Sequence, residues 1–268
     1  MLKISTPLLA KQSRLEILKM IYNSQSAHIG SAFSCIDIIC VIYNDILNIS
    51  PKNIKFKKRD IFILSKGHAC SALYAVLALK GFFPKNKLKT YGKDFSYLMS
   101  HASHHVPGVE FSSGSLGHGL PFGVGNALAL KIKKINSRVY VLMSDGELNE
   151  GSNWEAIMFA SHHKLNNLTF IIDNNNLQSL TTIKDTLNIY PLESKFRSFG
   201  LDYESVNGHD YRSLERVLKK QHPKKPRVII AKTIKGKGIK KMENKVIWHY
   251  KPPSKTEFND FLAELNNL

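Results

Sequence analysis

Residues 139–177 read VYVLMSDGELNEGSNWEAIMFASHHKLNNLTFIIDNNNL, and this stretch decides the fold. It contains two short apolar runs, 139–143 and 168–172, which are typical of strands buried on both faces of a parallel sheet. Between the runs, apolar and aromatic residues recur at roughly helical spacing, namely Trp154, Ile157, Met158, Ala160 and His162. The sequence therefore predicts a strand, helix, strand crossover within an α/β fold.

Two polar side chains, Asp145 and Asn175, follow these predicted strands almost directly. Open α/β sheets bind ligands at the carboxyl ends of their strands, so we expect both side chains to face a ligand. A carboxylate, an amide and the nearby Leu177 carbonyl would supply three hard oxygen ligands for a divalent cation held on a diphosphate. Asp-Gly and Asn-Asn are also common turn dipeptides, so this spacing alone leaves a simple turn open.

Length and charge bound the class of protein. A chain of 268 residues fits one large α/β domain. The net charge of +17 could reflect a solvated surface, steering of anionic ligands, an acidic partner chain or nucleic-acid binding. The basic residues are spread over several segments without interleaved aromatic residues, which favours the solvated surface and ranks nucleic acid last.

The cysteines and the hydropathy pattern bear on location. Cys35, Cys40 and Cys70 lack zinc-ligand spacing and are odd in number, which suits buried thiols in a reducing compartment. No signal peptide is recognisable, and no apolar run approaches the roughly 20 residues that a membrane span needs. We therefore expect a cytoplasmic protein that does not enter a membrane.

Local patterns predict further elements on either side of the crossover. A capping box at Ser34 and Asp37 is expected to open a buried helix to about Leu47. A second capping box, Ser254 and Glu257, is expected to start a short helical tail. The remaining predicted elements are helices at 11–23, 65–80, 119–134 and 211–221, strands at 61–64 and 228–232, and a loop at 178–190.

Five motifs extend the interpretation over the whole chain. In chain order they are LSKGHA (64–69), GSLGHGL (114–120), SDGELNEGSNWEA (144–156), NGHD (207–210) and KTIKGKG (232–238). Together they resemble the amino-terminal, diphosphate-binding half of transketolases. The resemblance implies a thiamine diphosphate-binding fold, with a mostly parallel sheet and helices on both faces. It also implies that residues 1–268 form a single diphosphate-binding domain with a helical tail from about residue 252.

The resemblance assigns residues to the cofactor thiamine diphosphate. Asp145, Asn175 and the Leu177 carbonyl would bind Mg²⁺, with Ca²⁺ or Mn²⁺ as alternatives, and Gly146 would let the backbone approach the diphosphate. A helix-capping role for Asp145 and a simple packing turn at residues 114–116 are the alternatives. The residues placed beside the cofactor's rings are Gly114, Ser115 and Leu116.

Four histidines, found in SAHIG, KGHA, SHASHH and WHY, resemble the family's active-site set. By resemblance, His28 and His249 would move protons at substrate oxygens, and His68 would lie between substrate and cofactor, so that His68 and His249 also contact the cofactor. His101 would hold the donor's first hydroxyl, although His104 and His105 lie close by. The matching acidic position at the subunit contact beside the cofactor is Glu150, for which a helix amino-terminal charge is the alternative.

The resemblance implies a transferase that moves a two-carbon ketol unit from a ketose to an aldose, using phosphorylated or otherwise activated sugars. The pyrimidine-binding and carboxy-terminal domains of full transketolases are not found in this sequence. We therefore expect activity only with a separate chain that resembles the missing half, as a heterotetramer of two plus two chains.

Departures from the family pattern leave other functions open. Ser144 replaces a glycine, His118 replaces a glutamine, and residues 179–185 do not match the usual continuation, so a specialised sugar pathway is expected. A thiamine-dependent acyloin synthase or 2-oxoacid decarboxylase component is the alternative among enzymes. A catalytically silent, basic scaffold protein is the alternative outside that class.

Overall fold

The computed structural model describes residues 4–268. The first three residues, part of the segment in which no signal peptide is recognised, lie outside the described part. Within it, five strands form one sheet in the order β1-β2-β3-β5-β4, and every neighbouring pair is parallel. The strands are β1 (Ile61–Leu64), β2 (Val139–Ser144), β3 (Leu168–Asn174), β4 (Asp202–Asn207) and β5 (Arg227–Lys232).

Helices connect and cover these strands. They are α1 (Thr6–Ser24), α2 (Ile29–Val41), α3 (Cys70–Leu79), α4 (Gly119–Ile132), α5 (Gly151–His162), α6 (Ile183–Thr186), α7 (Leu192–Ser198), α8 (Tyr211–Lys219) and α9 (Lys255–Asn266). Single turns of tighter or wider helix lie at Ile42–Ile46, Gly67–Ala69, Lys85–Thr90, Gly146–Asn149 and Val246–His249.

Alternate residues of each buried strand point to opposite helical layers. Tyr140 and Leu142 of β2 belong to the apolar core that includes α1, α2, α3, α8 and α9. Val141 and Met143, their neighbours in the same strand, belong to a second core with α4, α5 and α7. A strand buried on both faces must be apolar throughout, which explains the continuous runs in the sequence. The predicted α/β fold, with a parallel sheet and helices on both faces, is confirmed.

The buried helix α2 begins earlier than predicted. His28, with φ 77°, turns the chain in the left-handed region, and the helix starts at Ile29. Ser34 therefore lies inside the helix, where its hydroxyl donates to Asp173, and Asp37 pairs with Arg14. The predicted capping box at Ser34 is wrong because both of its polar side chains serve tertiary contacts instead.

The same helix bears on the membrane expectation. Within residues 4–268, Ile29–Ile46 is the one segment whose helix is long and apolar enough to cross a membrane by length and composition. The expectation that no apolar run approaches such a length is therefore wrong. Because 89% of that segment is buried inside the protein, we describe it as a core helix.

Polar and weakly periodic segments departed most from prediction. The strand β4 and the helix α7 were not predicted, and the expected loop at 178–190 contains α6. Helix α5 is present, but Met158 is 53% exposed and His162 is not buried either, contrary to the predicted inward face. The buried residues of α5 are Asn153, Ala156, Ile157 and Ala160.

The predicted capping box at the start of α9 is present. The Ser254 hydroxyl accepts from the Glu257 amide at 3.3 Å, and the Glu257 carboxylate accepts from the Ser254 amide at 3.0 Å. From α9, Phe261 packs edge-on against Trp248 at 5.4 Å between ring centroids. The tail thereby fixes the turn of helix that carries His249.

The close contact between α4 and β2 generates a prediction about stability. A Cβ atom added at Gly123 would lie 2.5 Å from the Val141 side chain, whereas one added at Gly125 of the same helix meets nothing within 4 Å. We expect Gly123→Ala to lower the free energy of unfolding by about 1–3 kcal/mol through overpacking. Gly125→Ala should raise it by roughly 0.5–1 kcal/mol, the usual gain over glycine in a helix.

Urea denaturation of the two variants beside the unsubstituted chain measures both values. Equal stability of Gly123→Ala and Gly125→Ala would contradict the packing of α4 on β2.

Candidate active site

A cavity of about 220 Å³ lies at the carboxyl edge of the sheet, next to the ends of β2 and β3. Ten of the twelve residues that the sequence predicts line it, namely His28, His68, His101, Gly114, Leu116, Asp145, Gly146, Asn175, Leu177 and His249. The lining residues that sequence reasoning missed are Ser31, Lys66, Ser144, Gln178, Ser179 and Lys235.

Asp145 lies at the base of the cavity, fully buried. Its carboxylate accepts from the amides of Gly146 at 2.9 Å and Asn176 at 2.6 Å, and from the Asn174 side chain at 3.1 Å. All the hydrogen bonds it accepts from residues 4–268 thus come from neutral N–H groups. Burial, and next the Asp173 charge, raise the pKa of Asp145 to about 6. A cation beside this carboxylate would stabilise its ionised form.

Asn175 and Leu177 lie across the same cavity on the turn after β3. The Asn175 amide nitrogen donates to Ser34 at 3.0 Å, which leaves its amide oxygen as the acceptor, now paired with the Leu177 amide at 3.0 Å. Asn176, with φ 64°, produces the sharp bend that brings these groups together. One carboxylate, one amide oxygen and one carbonyl form a donor set of hard oxygens, which fits Mg²⁺ or Ca²⁺.

The four predicted histidines converge on the opposite wall. The His28 ring centroid lies 5.2 Å from that of His68, 5.7 Å from His101 and 4.9 Å from His249. The backbone holds this arrangement, since the His28 amide donates to the His249 carbonyl at 2.7 Å. Residues 28, 68, 101 and 249 are thus one cluster, although 221 positions separate the first from the last (249 − 28).

Burial keeps these imidazoles neutral. Burial, and then the nearby His101 and Lys235, lower the pKa of His28 to about 4, and burial with Lys235 lowers that of His249 to about 3. Burial likewise lowers the pKa of His101, and the pKa of His68 falls well below its usual value. Near pH 7 the cluster can therefore accept protons or donate neutral hydrogen bonds.

A buried ion pair lies beneath the cavity. The Lys66 ammonium bonds to the Asp173 carboxylate, and both side chains are almost wholly shielded from solvent, at 1% and 0% exposed. Asp173 also accepts from Ser34 at 2.7 Å, and Ser34 accepts from Asn175. Burial opposes the Lys66 charge, but Asp173 raises the pKa of this ammonium above its usual value. The pair is thereby coupled through Ser34 to a predicted metal ligand.

Lys235 is the second buried cation at the site, and only 1% of its surface is exposed. Its ammonium lies 2.8 Å from the Gln178 carbonyl oxygen and 3.0 Å from Nδ1 of His249. Burial, and next the Lys66 charge, lower the pKa of Lys235 to about 8. Its position in the motif KTIKGKG was the only signal in the sequence.

Comparison with known proteins identifies the family. A model described as "Transketolase, thiamine diphosphate binding domain" matches residues 6–262. The chain belongs to the transketolase family. One of the two subunits of an apulose-4-phosphate transketolase, from Actinobacillus succinogenes, is 41% identical over 261 residues, covering 96% of this chain and 95% of that protein. A 6-deoxy-6-sulfo-D-fructose transketolase subunit of a Clostridium species is 35% identical over 241 residues, covering 89% and 88%.

Solved transketolases share the fold. The transketolase of Campylobacter jejuni superposes with a TM-score of 0.89 at 30% identity, covering 98% of this chain and 43% of that one. The Leishmania mexicana transketolase also gives 0.89, at 25% identity, covering 98% and 41%. The chain thus spans about two fifths of these longer transketolases, and the predicted thiamine diphosphate-binding fold is confirmed.

The glycine-rich segment of this transketolase-family chain is anchored by Glu147, which sequence reasoning missed. The buried Glu147 carboxylate accepts from the Gly117 amide at 3.0 Å, the Ser144 amide at 3.3 Å and the Ser65 hydroxyl. Burial raises the pKa of this carboxyl. Gly117, with φ 83°, needs the left-handed region, and a Cβ there would lie 2.6 Å from that of Glu150.

Two residues that the transketolase resemblance assigned to the cofactor, Ser115 and Glu150, lie outside the cavity. Both are exposed, and Glu150 precedes α5 without its side chain capping the helix. Of the departures from the family pattern, Ser144 lines the cavity, whereas His118 is exposed. The roles of Ser115 and Glu150 stay predictions.

The neutral histidines predict a pH dependence of stability. In the unfolded chain an imidazole takes up a proton near pH 6.5, whereas in the folded chain His28 does so near 4 and His249 near 3. Lowering the pH through this window therefore favours the unfolded state, and the histidines' contribution, complete above about 6.5, is lost as the pH falls. We expect His249→Gln to flatten the decline in unfolding free energy between pH 6.5 and 4.

Denaturant titrations at several pH values measure the slope. The exposed His105 is the control, because His105→Gln should leave the slope unchanged. A slope that is the same in His249→Gln and in the unsubstituted chain would contradict the buried, neutral state.

Proposed function

We propose that this chain is the diphosphate-binding subunit of a two-chain transketolase, which transfers a two-carbon ketol unit from a ketose to an aldose. The observation that carries the proposal is one cavity in which four neutral histidines face the oxygen donors of Asp145, Asn175 and Leu177. When bound, thiamine diphosphate supplies a carbon nucleophile and takes up the electron pair released by carbon–carbon cleavage. A decarboxylase or a silent scaffold has less use for four clustered imidazoles.

Asp145, Asn175 and the Leu177 carbonyl would hold Mg²⁺, with Ca²⁺ or Mn²⁺ as substitutes, and the metal would in turn hold the diphosphate. Gly146 would let the backbone approach the diphosphate, since even a Cβ there would lie 3.0 Å from Gln178. Gly114, Ser115 and Leu116 would lie beside the cofactor's rings, and Glu150 at the contact with the second chain.

The histidines would handle the sugar. His28 and His249 hold and move protons at the substrate oxygens, which neutral imidazoles do well near pH 7. His101 would hold the donor's first hydroxyl, and His68 would separate the substrate from the cofactor. The two relatives named for a sugar phosphate and a sulfosugar support an anionic ketose as donor, which the charge of +17 would attract.

The rest of the enzyme would come from a partner. Relatives of this length that are themselves named as transketolase subunits support a separate pyrimidine-binding chain. We propose two copies of each chain, with residues 1–268 acting as a single diphosphate-binding domain. The three buried free thiols, Cys35, Cys40 and Cys70, support a cytoplasmic location.

The metal assignment predicts the effect of one substitution. Asp145→Asn should weaken magnesium-dependent binding of thiamine diphosphate on the order of 100-fold or more, because even residues behind metal ligands cost 10–100-fold. Titration calorimetry of the reconstituted complex measures the Kd. The exposed Asp94 is the control, and Asp94→Asn should bind as the unsubstituted chain does. Unchanged affinity in Asp145→Asn would refute the assignment.

The partner assignment predicts activity only after mixing. Neither this chain nor its pyrimidine-binding partner should transfer a ketol unit on its own, whereas the mixture with Mg²⁺ and thiamine diphosphate should act on at least one anionic ketose. Light scattering of the mixture should give the mass of two plus two chains. Turnover by this chain without any partner would disprove the shared site.

A further inference from the structure

Lys235 occupies an unusual position, because a lysine ammonium is rarely buried without a carboxylate partner. Its side chain is buried, and it takes part in no ion pair within the described residues 4–268. Its nitrogen lies instead between two acceptors, the Gln178 carbonyl at 2.8 Å and Nδ1 of His249 at 3.0 Å. The role of Lys235 must therefore be sought in those two contacts.

The direction of the bond to His249 follows from the chemistry of both groups. A lysine ammonium has three N–H donors and no acceptor, so Nδ1 of His249 must accept and cannot carry a hydrogen. The pKa of Lys235 lies near 8 and that of His249 near 3, which keeps the lysine charged and the imidazole neutral at pH 7. A neutral imidazole with a bare Nδ1 carries its single hydrogen on Nε2.

The backbone holds this pair in place. The Gly236 amide donates to the Gly30 carbonyl at 3.0 Å, and the Asn244 amide donates to the Lys235 carbonyl at 2.9 Å. These contacts join the lysine's loop to the start of α2, beside His28. Since His28 also donates to the His249 carbonyl, the lysine and the imidazole share one rigid frame.

We propose that Lys235 is the positioning residue for His249, and that it fixes the Nε2–H form of this imidazole as a hydrogen-bond donor to a substrate oxygen. The proposal deepens the proposed function and rests on it for the role of His249. Nε2 forms no hydrogen bond within residues 4–268, and His249 lines the cavity, so this N–H is available to a substrate. A histidine held in the wrong tautomer loses most of its catalytic value.

The tautomer itself is measured without any activity assay. In the full chain labelled with ¹⁵N-histidine, long-range ¹H–¹⁵N correlation at pH 7 should show Nδ1 of His249 unprotonated and Nε2 protonated. The spectrum of His249→Gln identifies the resonance. In Lys235→Met, which removes the donor while keeping a similar length, the Nδ1–H form should appear. A protonated Nδ1 in the unsubstituted chain, or the same tautomer in Lys235→Met, would overturn the proposal.

Kinetics of the reconstituted complex separates positioning from simple charge. At saturating cofactor, Lys235→Met should lower kcat about 100-fold, a typical loss for acid–base groups. Lys235→Arg, which keeps a cationic donor, should keep the Nε2–H form and recover part of kcat. The exposed Lys240 is the control, and Lys240→Met should match the unsubstituted enzyme in both readouts.

A different result would assign Lys235 another role. If Lys235→Met weakened thiamine diphosphate binding but left kcat at saturation and the tautomer unchanged, the lysine would be a counter-charge for the diphosphate, and the proposal would fail. Absence of ketol transfer by the unsubstituted complex would defeat the proposed function instead, while the NMR measurement would still decide the tautomer.

Discussion

The buried pair of Lys66 and Asp173 is the interaction on which the site depends. It joins the ends of β1 and β3, and Asp173 also accepts from Ser34 of α2 and from Thr233 after β5. Three strands and the central helix are therefore tied at one point below the cavity. Removing one partner of such a pair typically costs about 3–5 kcal/mol, because an uncompensated charge stays buried. The Asn175 side chain is oriented from this point through Ser34.

The same burial sets the protonation of the groups above it. Two cations, Lys66 and Lys235, lie close to the histidines and disfavour a third positive charge, so His28 and His249 stay neutral. Asp145, whose hydrogen bonds within residues 4–268 all come from neutral groups, is the carboxylate that a metal would complement. The cavity thus separates a wall that binds a cation from a wall that handles neutral hydrogen bonds.

The sequence predicted those parts whose residues carry a local signal. The strands β2 and β3 are continuous apolar runs, and Asp145 and Asn175 follow them, so that the metal-binding edge could be located. The edge strand β4 is partly exposed and polar in sequence, so it carried no such signal. The start of α2 was misplaced because its serine and aspartate resemble a cap, although their partners are distant in sequence. Lys235 could not be singled out in a basic chain until the fold buried it.

Exposure divides the predicted site residues into two groups with a physical meaning. The residues on the diphosphate side, such as Asp145 and Asn175, are buried by this chain alone. Gly114, Ser115 and Glu150, which the family resemblance places toward the cofactor's rings and the subunit contact, are exposed. A cofactor in this cavity would be held at its diphosphate end and left open to water at its rings. Carbanion chemistry requires exclusion of water, so a second polypeptide covering these exposed residues is a chemical requirement of the proposed reaction.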